Sequence, residues 1–120
     1  MNIDGHEIIV DTNSDNGGND LGPRPKALML ASLIGCTGLD VKMILDKMKV
    51  SVDDIQIEVK ATTTENDPKV YTSFHVIYRF KGENLDIRRL ERAVKLSQEK
   101  YCGVSAMLRK IGPITYEIVV

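Results

Sequence analysis

One long segment with a helical pattern, residues 25–48, sets the strictest limit on how this chain folds. Its residues repeat with helical spacing, and an uninterrupted helix over this stretch would be about 36 Å long. A domain of this size has a radius of gyration of only about 14 Å, so the helix would cross the whole domain. Residues 27–36 are apolar on nearly every side, which is typical of a buried helix. A second subunit is the simplest source of cover for such a helix, and we therefore predict a homodimer.

Length and charge narrow the class of protein. The 120 residues predict a single domain, residues 1–120. Lys plus Arg number 16 and Asp plus Glu 17, so the chain lacks the basic excess that non-specific nucleic-acid binding requires. The longest apolar run is far shorter than the ~20 residues that span a bilayer, and the N-terminal residues lack the basic-then-apolar order of a secretion signal. We expect a cytoplasmic protein that binds neither nucleic acid nor membrane.

Alternating apolar and polar residues indicate strands on both sides of the long helix. We predict strands over residues 7–10, 50–60, 70–80 and 114–120, the second of them from the alternation in residues 50–52 and 55–60. Residues 11–20 form a polar loop, interpreted as a connector because its acidic residues would repel a phosphate. The order is strand, long helix, two strands, two helices and strand, which is an α+β fold with an antiparallel sheet and a long buried central helix.

A second helix is predicted after Asn84 and Asp86, both of which are plausible N-caps. Its buried stripe is predicted from residues three or four positions apart: Ile87, Leu90, Val94, Ser97 and Tyr101. A shorter helix then runs to about Lys110, where Gly112 and Pro113 stop it.

Cys36 lies between two glycines in the middle of the long helix, in Gly35-Cys36-Thr37-Gly38. Each glycine inside a helix costs about 1 kcal/mol relative to alanine, so such glycines usually allow another backbone to approach. One interpretation is a tight helix crossing in which Cys36 is a small core residue. The other is a thiol at a crowded contact that a small substrate can reach.

Cys102 is predicted at the start of a short helix, where free N–H groups stabilise a thiolate. The position suits a reactive cysteine as well as an inert one. Neither His6 nor His75 stands at a spacing that matches a zinc pattern, and we predict no metal and no cofactor. A cytoplasmic chain would usually keep both thiols reduced.

The two cysteine-bearing segments, taken with their surroundings, resemble the OsmC-like family of osmotically inducible protein C and organic hydroperoxide resistance proteins. The resemblance covers about residues 5–120. It rests on Gly22-Pro23-Arg24-Pro25-Lys26-Ala27-Leu28, Gly35-Cys36-Thr37, Leu45-Asp46-Lys47-Met48, Leu90-Glu91-Arg92-Ala93-Val94, and Glu99-Lys100-Tyr101-Cys102-Gly103-Val104.

The resemblance implies an α+β domain that dimerises by interleaving two chains around central helices. The resemblance further implies a function in oxidative stress, with Cys36 and Cys102 as the catalytic pair. Cys36 would attack an organic hydroperoxide and become a sulfenic acid. Cys102 would resolve that acid to a disulfide, and an external dithiol would reduce the disulfide.

Two positions depart from the pattern of the family's peroxidases. Lys26 stands where they carry Glu, and Arg24 stands where Asn is usual, while no arginine precedes Arg24 to lower the thiol pKa and orient peroxide. The charged pair that activates the thiolate is thus missing. Two alternatives to the peroxidase therefore stay open: a non-catalytic protein of this fold that binds a small ligand, and a thiol redox sensor.

Overall fold

The computed structural model describes all 120 residues, and the chain divides into two compact units, residues 1–32 and 33–120. The first unit holds strands β1 (Asn2–Ile3) and β2 (His6–Glu7) and a 3-10 turn at Ser14–Asn16. The second unit holds strands β3 (Asp54–Thr63), β4 (Tyr71–Lys81) and β5 (Ile114–Val119), and helices α2 (Ile87–Leu96) and α3 (Gly103–Leu108). Helix α1 (Ala27–Lys47) is continuous across residue 32. The predicted α+β class is confirmed.

The first strand of the chain lies earlier than predicted. β1 pairs antiparallel with β2 through a two-residue turn in which Asp4 and Gly5 both have positive φ, 51° and 80°. This is the Asp-Gly turn that favours tight hairpins. Residues 8–10 are not a strand, so the prediction for residues 7–10 was wrong beyond Glu7.

The polar loop after this hairpin is organised by one carboxylate. Asp11 accepts hydrogen bonds from the backbone N–H groups of Thr12, Asn19 and Leu21 at 2.7–3.1 Å. These bonds, that from Leu21 foremost, lower the pKa of Asp11 because they favour its charged form. The loop is therefore a connector held by its own side chain, as predicted.

Helix α1 begins at Ala27, two residues after Pro25, and ends at Lys47. Four residues on one face are completely buried: Leu33, Thr37, Val41 and Leu45. The opposite face is open, with Leu39 70% and Met43 58% exposed. Within a single chain, burial is thus confined to one face, because the elements that pack on the helix cover only that side. α1 has the length and hydropathy that a membrane-spanning helix needs, but the core helix of a soluble protein shares these properties.

The three-stranded sheet has the order β3-β4-β5. β3 and β4 are antiparallel, as predicted, whereas β5 pairs parallel to β4. The sheet is therefore mixed rather than wholly antiparallel, because α2 and α3 carry the chain back before β5 begins.

One face of the sheet is apolar and lies under the helices. The register places Ile57 beside Tyr78 on β4, and Tyr78 beside Ile118 on β5. The central strand is buried there, at Phe74, Val76, Tyr78 and Phe80, while the apolar residues of the flanking strands are half-buried. The core thus sits over β4.

α2 begins at the predicted cap, since the Asp86 side chain accepts from the N–H of Arg88. Leu90, Val94 and Ser97 are buried as predicted, but the prediction was wrong for Ile87, which is 49% exposed, and for Tyr101, which is 54% exposed. Tyr101 is turned outward by a π-turn at Ser97–Tyr101, which adds one residue to the last turn and points Gln98 inward instead. α3 follows directly after Cys102, where a short helix was predicted.

Candidate functional site

The structure brings the two cysteines together, although 65 residues separate them in the sequence. The sulfur atoms of Cys36 and Cys102 and a carboxylate oxygen of Asp40 all lie within 4.8 Å of one another. Both cysteines are free thiols; Cys36 is half-buried, while Cys102 is only 3% exposed. We call these three residues the thiol cluster. Its members differ in access, since only Cys36 and Asp40 reach toward solvent.

Helix geometry places two members of the thiol cluster on α1. Residues four positions apart lie on the same face, so Cys36 and Asp40 are neighbours. Their row runs beside the buried row that contains Thr37 and Val41. Cys36 is therefore neither a core residue nor a surface residue, but stands at the border of the buried face.

The π-turn places the third member. The N–H of Cys102 donates to the carbonyl of Ser97 at 2.7 Å, which closes the wide turn. Cys102 then leaves the helical conformation and caps α3, where its sulfur accepts from the N–H of Ser105 at 3.3 Å. The cap fixes the direction of the Cys102 side chain.

Burial raises the pKa of Cys102, and this is the largest influence on the thiol. The neighbouring Cys36 thiol raises it further, while the hydroxyl and N–H of Ser105 lower it. The N-terminal stabilisation of a thiolate that we expected from the sequence is therefore present but outweighed. Cys102 is therefore a protonated thiol at neutral pH.

A chain of buried hydrogen bonds ends at Asp40. Its links are Gln98 Nε2 to Tyr78 OH at 2.7 Å, Tyr78 OH to Thr37 Oγ1 at 2.7 Å, Thr37 Oγ1 to Ser97 Oγ at 2.8 Å, and Ser97 Oγ to Asp40 Oδ2 at 3.2 Å.

The direction of this chain follows from the chemistry of its last member. An ionised carboxylate only accepts, so Ser97 must donate to Asp40 and accept from Thr37. Thr37 in turn must accept from Tyr78, whose oxygen accepts from the amide of Gln98. Every hydroxyl proton in the chain is thus used, and the carboxylate of Asp40 is held in one orientation beside the thiols.

Neither the buried chain nor Asp40 was predicted from the sequence. The available signal was its spacing of four residues from Cys36 on a helix. The partners of Thr37 carried no such signal, because they lie on distant segments.

Four other residues considered in the sequence, His6, His75, Arg24 and Lys26, are not members of the thiol cluster. His75 lies on β4 within hydrogen-bonding distance of Thr115 Oγ1, at 2.7 Å, and of Glu117 Oε1, at 3.0 Å, so both of its ring nitrogens have partners on β5. His6 is exposed on β2 of the first unit. Arg24 donates to Asp20 at 2.6 Å within that unit, and Lys26 precedes the first residue of α1.

The two glycines beside Cys36 have different surroundings. A Cβ on Gly38 would lie 3.2 Å from Cδ1 of Ile57, so this glycine makes room for a side chain of β3. A Cβ on Gly35 would meet nothing within 4 Å. The predicted tight helix crossing is therefore wrong within one chain, because no other helix backbone approaches either glycine.

Two grooves flank α1, and the smaller of them includes Asp40 of the thiol cluster. The larger, about 470 Å³, lies between α1 and β3, and most of its side chains are apolar: Ile34, Leu39, Val52, Ile55 and Ile57. The smaller, about 240 Å³, is lined by Asp40, Met43, Ile44, Lys47 and Tyr101. Since Asp40 belongs to both the smaller groove and the thiol cluster, this groove gives small molecules an approach to the site.

The chain matches known proteins along nearly its whole length. The family model described as OsmC-like protein matches residues 17–117. Protein YhfA of Escherichia coli K12 is 36% identical over 117 residues, which cover 96% of this chain and 84% of that protein. The crystal structure of a hypothetical protein from Aquifex aeolicus VF5 is 39% identical, with a TM-score of 0.73 over 82% of this chain and 76% of that one.

A more distant structure shares the fold. The organic hydroperoxide resistance protein OsmC from Legionella pneumophila is 17% identical and has a TM-score of 0.70, covering 94% of this chain and 81% of its own. At this identity the likeness concerns the fold alone.

Proposed function

Because this chain belongs to the OsmC-like protein family, we propose that it is a thiol-dependent peroxidase that reduces organic hydroperoxides through Cys36 and Cys102. The observation that carries the proposal is the thiol cluster, in which a half-buried and a buried thiol lie within 4.8 Å of each other. The two-thiol mechanism needs such a pair, one thiol that the peroxide can reach and one that waits behind it. The resemblance of the two cysteine-bearing segments to organic hydroperoxide resistance proteins supports the substrate class.

The first step takes place at Cys36. Its thiolate attacks the terminal oxygen of the hydroperoxide, the O–O bond breaks, and the alkoxide leaves and takes up a proton as the alcohol. Cys36 becomes a sulfenic acid. We assign this role to Cys36 because it is the more exposed of the two thiols, and a peroxide must contact the sulfur along the axis of its O–O bond.

The second step joins the two sulfurs. Cys102, as its thiolate, attacks the sulfur of the sulfenic acid and displaces hydroxide, which takes up a proton and leaves as water. The product is the Cys36–Cys102 disulfide. An external dithiol then reduces it and is itself oxidised to a disulfide. Over the cycle, one hydroperoxide and one dithiol yield one alcohol, one water and one disulfide.

The surroundings favour an organic peroxide. Met43, Ile44 and Tyr101 present apolar surface in the smaller groove, next to Asp40. Moving an alkyl or aryl group from water onto such a surface lowers the free energy by about 25 cal/mol per Å² of apolar area buried. Hydrogen peroxide has no group to place there, and we therefore propose that it is the poorer substrate.

We also propose that the working form is a cytoplasmic homodimer built from one domain per chain. The open face of α1, with Leu39 and Met43, is the surface that a second copy would cover. A reducing compartment suits an enzyme that must be returned to the dithiol state after each cycle.

The test is the intact mass of the protein under non-reducing conditions after one equivalent of cumene hydroperoxide. The native chain is expected to lose two hydrogens, whereas the Cys102→Ser variant gains one oxygen at Cys36 and stays at that stage. The Cys36→Ser variant is expected to change at least 100-fold more slowly than the native chain. A parallel series with hydrogen peroxide tests the preference for an organic substrate.

An unchanged mass of the native chain over hours would overturn the peroxidase. Equal rates in the Cys36→Ser and Cys102→Ser variants would instead overturn the assignment of roles. Disulfide formation that does not cycle with a dithiol reductant would identify a redox sensor rather than an enzyme.

The larger groove favours a second candidate, a protein that binds a small apolar ligand without catalysis. Its volume of about 470 Å³ lies within the range of pockets for small molecules. This candidate predicts that native mass spectrometry of the freshly purified protein detects a bound compound, and that Ile57→Lys in the groove wall releases it. An empty groove, found together with thiols that react with the peroxide, would contradict the ligand-binding candidate and leave the peroxidase as the remaining proposal.

A further inference from the structure

We propose that the thiol cluster is a Zn²⁺ site in the reduced protein, with Cys36, Cys102 and Asp40 as its three protein ligands. The inference goes beyond the proposed peroxidase, and the binding itself does not depend on peroxidase activity. Its basis is the distance between the three donor atoms, all within 4.8 Å of one another.

The spacing suits a tetrahedral ion. Zn–S bonds of about 2.3 Å and Zn–O bonds of about 2.0 Å put tetrahedral donors roughly 3.5–3.8 Å apart. The observed donors need to close by about 1.3 Å at most. Rotation of the Cys36 side chain supplies this movement, since Ser105 holds the sulfur of Cys102 and Ser97 holds the carboxylate of Asp40. A water molecule would complete the four ligands from the side of the smaller groove, which Asp40 lines.

The donor types favour zinc over the common hard cations. Mg²⁺ and Ca²⁺ prefer oxygen ligands throughout, whereas two thiolates with one carboxylate suit a borderline ion such as Zn²⁺. Binding the ion requires both thiols to lose their protons, so each Zn²⁺ releases two protons to the buffer.

The hydrogen bonds around the cluster resemble the outer support of a metal centre. Ser97 donates to Asp40 Oδ2, which leaves the other carboxylate oxygen for an ion, and Ser105 N–H donates to the sulfur of Cys102. Such partners orient the ligands before the ion arrives and raise affinity. The buried chain through Thr37 and Tyr78 fixes Ser97 in turn.

A consequence links this site to oxidation. A disulfide between Cys36 and Cys102 consumes both sulfur ligands, so two-electron oxidation by a hydroperoxide must release the ion. Conversely, bound Zn²⁺ occupies the electron pairs with which the thiolates attack a peroxide. Zinc and hydroperoxide therefore compete for the same reduced thiols.

The first test is direct binding of Zn²⁺ to the reduced, metal-free native protein under anaerobic conditions, followed by competition with a chromophoric chelator. One ion per chain is expected. Co²⁺ in place of Zn²⁺ is expected to give the intense near-ultraviolet absorption of thiolate-to-cobalt charge transfer.

The decisive variant is Asp40→Asn, which keeps both thiols. It is expected to weaken Zn²⁺ binding by at least about 10-fold, with the charge-transfer band retained at its two-thiolate intensity. Asp46→Asn, on the same helix but paired with Lys42 outside the cluster, serves as the matched control and is expected to bind as the native chain does. Replacing Cys36 and Cys102 together by serine is expected to abolish the band, and replacing them by alanine repeats the test if the serine variant does not fold.

Equal Zn²⁺ affinity in the native chain and the double cysteine variant would overturn the site. Native affinity in Asp40→Asn would overturn the three-ligand arrangement. Peroxide oxidation of the metal-free native chain, measured in parallel, reports on the proposed function separately, so failure of one is recognisable without failure of the other.

Discussion

Apolar side chains lie on both faces of α1, although only one face is covered within the chain. The inner face buries Leu33, Val41 and Leu45 around Thr37, which joins the buried hydrogen-bond chain. The outer face carries Leu39 and Met43, which are mostly exposed. A surface helix ordinarily points its polar residues outward and its apolar residues inward. Apolar surface on the outer face as well is typical of a helix that packs against a second partner.

The difference shows what each face contributes. The inner face holds the chain together and orients Asp40, so its residues determine stability and the geometry of the thiol cluster. The outer face contributes nothing to the packing of one chain, so its residues are available for association. Cys36 and Asp40 form the row between these faces, where a reactive group is both held and reachable.

The largest expected difference between the two faces comes from replacing one leucine by alanine on each of them. Leu45→Ala removes a side chain with no exposed surface and is expected to lower the free energy of unfolding by about 2–5 kcal/mol. Leu39→Ala removes a side chain that is 70% exposed and is expected to change it by less than about 0.5 kcal/mol in the separated chain. Urea denaturation at low protein concentration measures both, and equal losses would contradict the distinction between the faces.

The next prediction tests whether the outer face mediates self-association, by placing positive charges on it. Leu39→Lys combined with Met43→Lys is expected to weaken self-association at least about 100-fold, or about 2.8 kcal/mol, because two ammonium groups would have to be buried in the contact. Light scattering across a concentration series gives the mass. Lys42→Glu, between the two positions on the sequence, controls for the change of charge. A native chain that is monomeric at high concentration would contradict the dimer.

The inner face is sharpened by deleting a single oxygen. In Tyr78→Phe, Gln98 Nε2 loses its acceptor. Because Gln98 Oε1 also has no hydrogen-bond partner, both polar atoms of this buried amide would then be unsatisfied. We expect a loss of about 1–3 kcal/mol in the free energy of unfolding, by thermal or urea denaturation. Tyr101→Phe, at an exposed tyrosine, is expected to cost less than about 0.5 kcal/mol. A loss as small in Tyr78→Phe would show that the buried chain adds little.

The smallest effect concerns pH. Burial, the main cause, raises the pKa of Cys102 in the folded chain above its unfolded value of about 8.5. Its contribution to stability is therefore complete below about pH 8.5 and is lost as the pH rises through the folded value, because only the unfolded chain ionises readily there. Between pH 8 and 9.5 the native chain is expected to lose more stability than Cys102→Ala, by urea denaturation. Parallel curves for the two proteins would contradict this.

The sequence allowed α1 and the β3–β4 pair to be predicted because their signals are local. Helical spacing located α1 to within two residues of each end, and alternation placed Val76 and Tyr78 on the buried face of β4. The Asp4-Gly5 turn carried an equally local signal, but the strand was sought one segment too late. The single exposed face of α1 could not be foreseen from its apolar sequence, because burial depends on what covers it.

The thiol cluster was predictable only in part. The resemblance identified both cysteines, but their distance is set by how α1 and the π-turn meet across 65 residues of sequence. Nothing in Ser97-Gln98-Glu99-Lys100-Tyr101 distinguishes a π-turn from an α-helical turn, since the stripe of buried positions predicts Tyr101 inside. Asp40 was overlooked because a carboxylate on a helix is ordinarily solvated, and only the tertiary fold shows its serine and thiol neighbours.

The π-turn at Ser97–Tyr101 makes chain length as important to the site as residue type. It holds one residue more than an α-helical turn, so deletion of any one of Gln98, Glu99 or Lys100 would let α2 continue with regular spacing. The extra residue gives Cys102 the inward direction that position 101 would have in a regular helix, so a deletion inside the turn would keep that direction and remove only the wide Ser97–Cys102 hydrogen bond. A deletion within α2 would instead rotate Cys102 by about 100° and separate it from Cys36, although every side chain of the cluster remained in the sequence.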